Sequence, residues 1–245
     1  MAPFFICINI RFYYNSIMDN GMFILITGTS SGLGYEMATM LLEQGHTVIG
    51  VSRSGTEINS DNFIDIVCDI RQEESVEEMY ELISDHTDKL DVIVLNAGIF
   101  EMSPLNETSS KEFRNQLDTN VVGAFHILKH AESFIDEDDA HIITISSLAS
   151  KNGLSNMSAY SASKFALNGM IDSLRSEWAH LNVRFSTLLP GAIATPIWED
   201  IKGEFPKDQM LTIEEFLHVF NMVVNSPRNL QFPEITFLHR DGMYK

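Results

Sequence analysis

The chain has 245 residues, 44% of them hydrophobic and 20% charged, with a formal net charge of −18. That length can bury the core of one large domain. The charge disfavours nucleic acid, anionic membrane surfaces and acidic macromolecules as partners, because each demands patches of Lys and Arg.

Two cysteines, Cys7 and Cys68, lie too far apart to suggest a disulfide framework or a Cys-based metal site, which fits a reducing cytoplasm. No run reaches the roughly 18 apolar residues of a membrane span. Residues 3–14 are apolar, but no basic segment precedes them, so they do not read as a signal peptide. The folded pattern begins abruptly at Met22. Residues 1–21 therefore read as an N-terminal extension, either an arm for a partner subunit or the product of an upstream translation start. One domain is expected over 22–245.

Residues 22–27 form a short, wholly apolar, β-rich run, as expected of a strand buried on both faces. The turn Gly28-Thr29-Ser30-Ser31-Gly32-Leu33-Gly34 follows directly. A helical pattern then places Leu33, Met37 and Leu41 on one face and stops at Gly45. Residues 47–51 are the next strand, and this β–turn–α–β unit opens a doubly wound parallel sheet. Further strands are expected at 63–67, 90–95, 141–145, 183–189 and 234–238. Helices are expected at 74–84, 111–134, 159–179 and from about 213 to 224. Ser109 with Glu112 and Thr212 with Glu215 read as capping boxes. The alternation predicts a single-domain, Rossmann-like α/β fold: about seven parallel strands in three α/β/α layers. Asp136-Glu137-Asp138-Asp139 reads as a solvated loop. His126 and His130 stand i, i+4 on the long helix without a third ligand, so they read as packing or interface residues and no metal is expected.

Tyr160 and Lys164 stand four apart in a helical stretch and so share a face. A free Tyr titrates near about 10, and an ammonium beside it favours the phenolate. Proton transfer near neutral pH would need that value brought to about 7–8, or about 3–4 kcal/mol of differential stabilisation. The glycine turn, set between a strand and a helix N-terminus, lets backbone N–H groups approach a pyrophosphate. Its glycines, 28, 32 and 34, do not follow the general G-x-G-x-x-G spacing.

Thr27-Gly28-Thr29-Ser30-Ser31-Gly32-Leu33-Gly34 instead resembles the T-G-x-x-x-G-x-G signature of the short-chain dehydrogenase/reductase family. Asn96-Ala97-Gly98, Asn120, Ser147 thirteen residues before Tyr160, Lys164, and Pro190-Gly191-Ala192-Ile193-Ala194-Thr195 follow in the family's order, over about residues 22–240. The resemblance implies that Tyr160 passes the proton to or from the substrate oxygen. Lys164 would lower the Tyr160 pKa and bind the nicotinamide ribose, and Ser147 would hold the substrate oxygen, with Ser146 the alternative hydroxyl. Asn120 would position a relay water. It further implies that Gly28, Ser30, Ser31, Gly32, Leu33, Gly34, Asn96, Ala97, Gly98, Pro190, Gly191, Ile193 and Thr195 line the cofactor, with Asp69 and Ile70 at the adenine.

At the end of the second strand the family's ribose-binding Asp is replaced by Ser52, and Arg53 follows. A guanidinium suits a 2′-phosphate, so NADP(H) is expected over NAD(H). Substrate contacts are expected from Ser147, Leu148, Leu154, Tyr160 and Trp198, with Ile99, Phe100, Met157 and the short segment 196–210 shaping the pocket. Trp198 and Phe205 suggest an apolar or aromatic carbonyl compound. The reading is an NADPH-dependent carbonyl reductase with 4-pro-S hydride transfer, cytoplasmic and a homodimer through the helices at 111–134 and 159–179. The short tail puts the family's tetramer contact in doubt. An oxidative alcohol dehydrogenase, an NADPH-sensing regulator without turnover and a sugar-nucleotide epimerase are the rivals. The missing ribose Asp, the intact Tyr160–Lys164–Ser147 set and the short C-terminal region argue against them in turn.

Overall fold

A computed structural model of the protein describes residues 21–135, 139–199, 201 and 205–242. The expected extension at 1–21 therefore lies outside the described residues apart from Gly21.

Seven parallel strands form one sheet in the order β3-β2-β1-β4-β5-β6-β7. They are β1 (Phe23–Thr27), β2 (Thr47–Ser52), β3 (Phe63–Val67), β4 (Val92–Leu95), β5 (Ala140–Ile145), β6 (Val183–Pro190) and β7 (Glu234–Phe237). Alternate residues face opposite layers. Leu25, Ile49, Ile93, Ile142 and Phe185 pack with Val76, Met79 and Ile83 of α2 (Glu73–Ser84) and with Leu167 and Ile171 of α5 (Ser158–Glu177). Ile24, Ile26, Val48, Val92, Val94, Ile143 and Leu188 pack with Met37, Ala38 and Leu41 of α1 (Gly32–Glu43) and with Phe216, Phe220 and Val223 of α6 (Ile213–Val224). Each of the larger of these buried side chains, Val, Leu, Ile, Phe or Met, contributes about 1.5–3 kcal/mol against leaving it in water. The expected three-layer fold is what forms.

The strand order places β1 between β2 and β4. Successive connections leave β1 in opposite directions there, opening a crevice at the carboxyl ends of the strands.

Two elements differ from the sequence pattern. The strand expected at 90–95 is shorter, because the Asp91 carboxylate accepts a hydrogen bond from the Phe23 N–H at 2.7 Å; Leu90 makes only an isolated bridge to Ile135. The single long helix expected over 111–134 is broken into α3 (Ser110–Leu117), a π-helical turn at Asp118–Val122, α4 (Gly123–Lys129) and a 3₁₀ turn at Glu132–Phe134. A π turn carries one extra residue, which no hydrophobic periodicity reveals. Both expected capping boxes are present.

Asp139 is not solvated as expected. Its two oxygens accept from Nε and Nη2 along one edge of the Arg184 guanidinium, at 3.0 and 3.2 Å, and it lies near Arg228; residues 136–138 lie outside the described residues. The His126 Nδ1–H donates to the Ile70 carbonyl at 2.9 Å, while His130 meets Glu73 and Glu77. The two histidines thus serve different contacts, and Lys129 already supplies a cation to Glu73.

Candidate active site

The glycine turn is held shut by its own backbone. Gly28 has φ +77°, and its N–H donates to the Val51 carbonyl at 2.6 Å. A Cβ on Gly34 would stand 2.0 Å from the Gly28 oxygen, so only glycine lets α1 approach the turn this closely. Asn96 locks the same turn from β4: its Nδ2 donates to the carbonyls of Thr27, at 2.8 Å, and Gly28. The Thr27 hydroxyl oxygen in turn accepts from the N–H groups of Asn96 and Ala97. Ser31 is the N-cap of α1, yet its side chain caps nothing. The first N–H groups of that helix are left for another acceptor.

A cleft of about 1070 Å³ runs from this turn over the carboxyl ends of the strands. Every residue singled out above for catalysis, cofactor or substrate lines it, except Asn120. At one end the Ser52 hydroxyl is buried without a hydrogen-bond partner, beside exposed Arg53. Asp69 lines the same end of the cleft, with Arg71 on its carboxylate. Its two carboxylate oxygens are taken by Arg71, at 2.9 Å to Nε and 2.6 Å to Nη2, and this hydrogen bonding holds the carboxyl below its ordinary range. Little acceptor capacity remains for an adenine amine. Arg71, which the sequence pattern did not single out, also donates to Asn115 and lines the cleft itself.

At the other end Ser147, Tyr160 and Lys164 meet. Ser147 caps a short 3₁₀ turn, its Oγ accepting from the Ala149 N–H at 3.1 Å. Ser146 is committed elsewhere: its hydroxyl donates to Asn168 at 2.7 Å. Both serines line the cleft, and the Ser147 hydroxyl is the one that hydrogen-bonds Tyr160. Lys164 is buried, 5% exposed, and its Nζ donates to the Ile145 carbonyl at 3.0 Å. Burial lowers its pKa to about 8. Burial pushes the Tyr160 hydroxyl up to about 12, against a hydrogen bond with Ser147 that favours the phenolate. The expected lowering of Tyr160 by Lys164 is absent from this geometry: the ammonium lies 5.7 Å from the ring centroid and is directed at Ile145.

Asn120 stands behind the wall, 1% exposed, in the middle of the π turn. Its Oδ1 accepts from the Ile99 N–H at 2.8 Å. Its Nδ2 donates to the Ile99 carbonyl and to the Ser163 hydroxyl, at 3.0 and 2.9 Å. Ser163 donates onward to the Tyr160 carbonyl. The amide thus ties the end of β4 to the helix that carries Tyr160 and Lys164. Ser163 had no signal of its own in the sequence beyond lying between them.

Above Tyr160, Phe100 packs edge-on with ring centroids 4.8 Å apart, and Trp198 packs on Phe100 at 5.3 Å. Leu148 is buried beside them in the wall, whereas Leu154 is exposed at the rim.

Comparison with known proteins places the chain in a family. A family model described as short chain dehydrogenase matches residues 22–204. A 3-amino-tetrahydro-pyrrolizinone reductase from Xenorhabdus hominickii is 39% identical over 181 residues, which is 72% of this chain and 63% of that one. An NADPH-dependent pterin aldehyde reductase from Arabidopsis thaliana is 34% identical over 184 residues, 71% of this chain and 76% of that one. Among solved structures, the alcohol dehydrogenase of the archaeon Thermococcus sibiricus complexed with 5-hydroxy-NADP superposes with a TM-score of 0.83, over 92% of this chain and all of that one. At 22% identity that likeness speaks for the fold. The glycine turn, the strand order and the family match lead to one conclusion: the chain belongs to the short-chain dehydrogenase family of NAD(P)-dependent oxidoreductases.

Proposed function

We propose that the protein is an NADPH-dependent reductase that converts a ketone or aldehyde of a small molecule to an alcohol, with residues 22–245 as its single catalytic domain. The observation that carries this reading is one cleft with Ser147, Tyr160 and Lys164 at one end and Ser52 with Arg53, in place of a carboxylate, at the other.

The cleft fits NADP(H) on three counts. The uncapped N–H groups of α1 suit a pyrophosphate. Gly32, where a Cβ would meet nothing within 4 Å, leaves the turn open to it. The partnerless Ser52 hydroxyl and the Arg53 guanidinium suit a ribose 2′-phosphate, for which a charge-assisted hydrogen bond contributes about 1.5–3 kcal/mol. NAD(H) would forgo that contact. The reductases named above, which act with NADPH or on ring systems, support the same direction.

NADPH, when bound, supplies the hydride that reaches the carbonyl carbon. Ser147 holds the carbonyl oxygen, and Tyr160 gives it a proton, so that C=O becomes CH–OH. With its pKa near 12, Tyr160 carries that proton throughout the neutral range, which favours reduction; oxidation would need the phenolate first. Lys164, with a pKa near 8, is the stronger acid and can return a proton to the phenolate. Asn120 acts as a positioning residue, since both hydrogens of its amide are already used. Asp69 acts through Arg71, which presents its guanidinium to the adenine end.

Val122 and Phe125 on one helix and Phe165 on the next remain exposed. These apolar side chains support a homodimer through those helices, which sedimentation of the purified protein would test. The reductase reading is tested by NADPH consumption at 340 nm against aldehydes and ketones, with Tyr160→Phe alongside. Turnover lost in the variant while NADPH binding persists is expected. Tight NADPH binding without turnover of any carbonyl compound would point to a sensor instead.

A further inference from the structure

We propose that the catalytic end of the cleft selects an uncharged, planar aromatic or heteroaromatic carbonyl compound, held against a row of four rings. The proposal rests on the reading of Tyr160 as proton donor. Tyr160, Phe100, Trp198 and Phe205 follow one another with centroids 4.8, 5.3 and 4.8 Å apart and planes inclined at 69°, 65° and 50°. The row begins at the residue that transfers the proton, so a ring stacked along it brings its carbonyl to Tyr160.

The row is built rather than incidental. The Trp198 Nε1 donates to the Ile193 carbonyl at 2.8 Å, which satisfies the indole's polar atom and fixes its plane. Phe100 follows Ile99, whose N–H and carbonyl are both held by Asn120. Rings fixed before the substrate arrives lose little freedom on binding it. Offset and edge-on contacts between aromatic rings add to what their buried area alone provides.

Charge sets the second limit. The chain carries 34 Asp and Glu residues, yet among the described residues lining the cleft the only carboxylate is that of Asp69, which Arg71 occupies. The lining groups able to carry positive charge are Arg53 and Arg71 at the adenine end, Lys164 beneath Tyr160, and the His239 imidazole. No described Arg or Lys stands beside Phe100 or Trp198 in that lining to meet a carboxylate or phosphate on the substrate. A buried charge without a partner is strongly disfavoured, so an ionised substrate is rejected. Asn152, Asn156 and Gln209 also line the cleft and offer amide groups to ring heteroatoms or hydroxyls.

The test uses three aldehydes with NADPH, 2-naphthaldehyde, cyclohexanecarboxaldehyde and 4-formylbenzoate, of which the unconjugated cyclohexanecarboxaldehyde is intrinsically the more electrophilic, so that a preference for the naphthaldehyde runs against intrinsic reactivity. We expect kcat/KM for the naphthaldehyde to exceed each of the others at least tenfold. Trp198→Leu should collapse that preference, chiefly through a higher KM for the naphthaldehyde. Calorimetric titration of the NADP+-loaded protein with 2-naphthalenemethanol and cyclohexylmethanol reads the same preference without turnover, again at least tenfold in Kd. If Trp198→Leu fails to fold, Phe205→Leu takes its place. Equal or inverted preference, or a preference that survives loss of the ring, overturns the proposal. Absence of turnover with all three aldehydes would instead refute the reductase reading, and the calorimetric ratio would still decide this one.

Discussion

Lys164 should be a stability liability that catalysis retains. Its ammonium is buried, no carboxylate lies against it among the described residues, and its one polar contact is the Ile145 carbonyl. A fall from the ordinary 10.5 to about 8 means that burying the charge costs about 3 kcal/mol at neutral pH. Lys164→Met removes that cost but leaves the Ile145 carbonyl unpaired, at about 1–3 kcal/mol. The net expectation is a gain of about 1 kcal/mol, worth about 2–4 °C in Tm for a chain of this size. The pH dependence is the sharper signature. The folded state holds fewer protons than the unfolded state between pH 8 and 10.5, so wild type gains stability as pH rises through that window. The cost is fully present below pH 8 and relieved above 10.5. Between pH 7 and 9.5 wild type should therefore gain about 2 kcal/mol relative to Lys164→Met. Urea unfolding of both proteins at the two pH values measures it. A gap that does not move with pH would mean that Lys164 is not the strained cation described here. The same variant should lose turnover by at least about 100-fold, the usual scale for removing a proton-transfer group.

Arg53→Ala should weaken NADPH binding about 10–100-fold, the worth of one charge-assisted hydrogen bond, and should reduce the preference for NADPH over NADH by the same factor; fluorescence titration with both cofactors reads it, and an unchanged ratio would exclude Arg53 from the 2′-phosphate. Ser147→Ala should lower kcat about 100-fold or more, as loss of an oxyanion donor does, whereas Ser146→Ala should cost only the hydrogen bond to Asn168; steady-state kinetics of the two variants side by side would contradict the assignment if Ser146→Ala were the inactive one. Asn120→Leu strands the Ile99 N–H and carbonyl inside the protein, at about 1–3 kcal/mol for each buried group, while Ser163 keeps its bond to the Tyr160 carbonyl, so its urea midpoint should fall sharply; a near-normal midpoint would show that the π turn holds without it.

The fold was legible because the inner strands of the sheet are buried on both faces. Runs such as residues 22–26 and 92–95 are apolar throughout, as a parallel sheet covered on two sides demands. Gly28 and Gly34 marked the turn because close backbone contact tolerates no side chain there. The π turn was invisible for a physical reason: its extra residue shifts the helix by one position, and Asn120 looks like any polar helix residue until Ile99 and Ser163 are brought beside it. Asp139 misled for a similar reason, since an acidic run reads as solvated until Arg184, distant in sequence, folds against it.

The site shows where residue identity ends and environment begins. The positions of Tyr160 and Lys164 follow from spacing, and the structure puts both at one end of the cleft. The direction of their titration does not follow from spacing. A Lys one turn from a Tyr predicts a lowered phenol when the ammonium points at the oxygen, yet here the ammonium points to Ile145 and burial raises the phenol instead. The two shifts bring the groups from about half a unit apart in free solution to a clear order, with Lys164 the acid and Tyr160 the base once deprotonated. That order suits a site that gives a proton away and is then recharged from behind. Asp69 teaches the same lesson at the far end, where a carboxylate suited to an adenine amine spends its acceptors on Arg71.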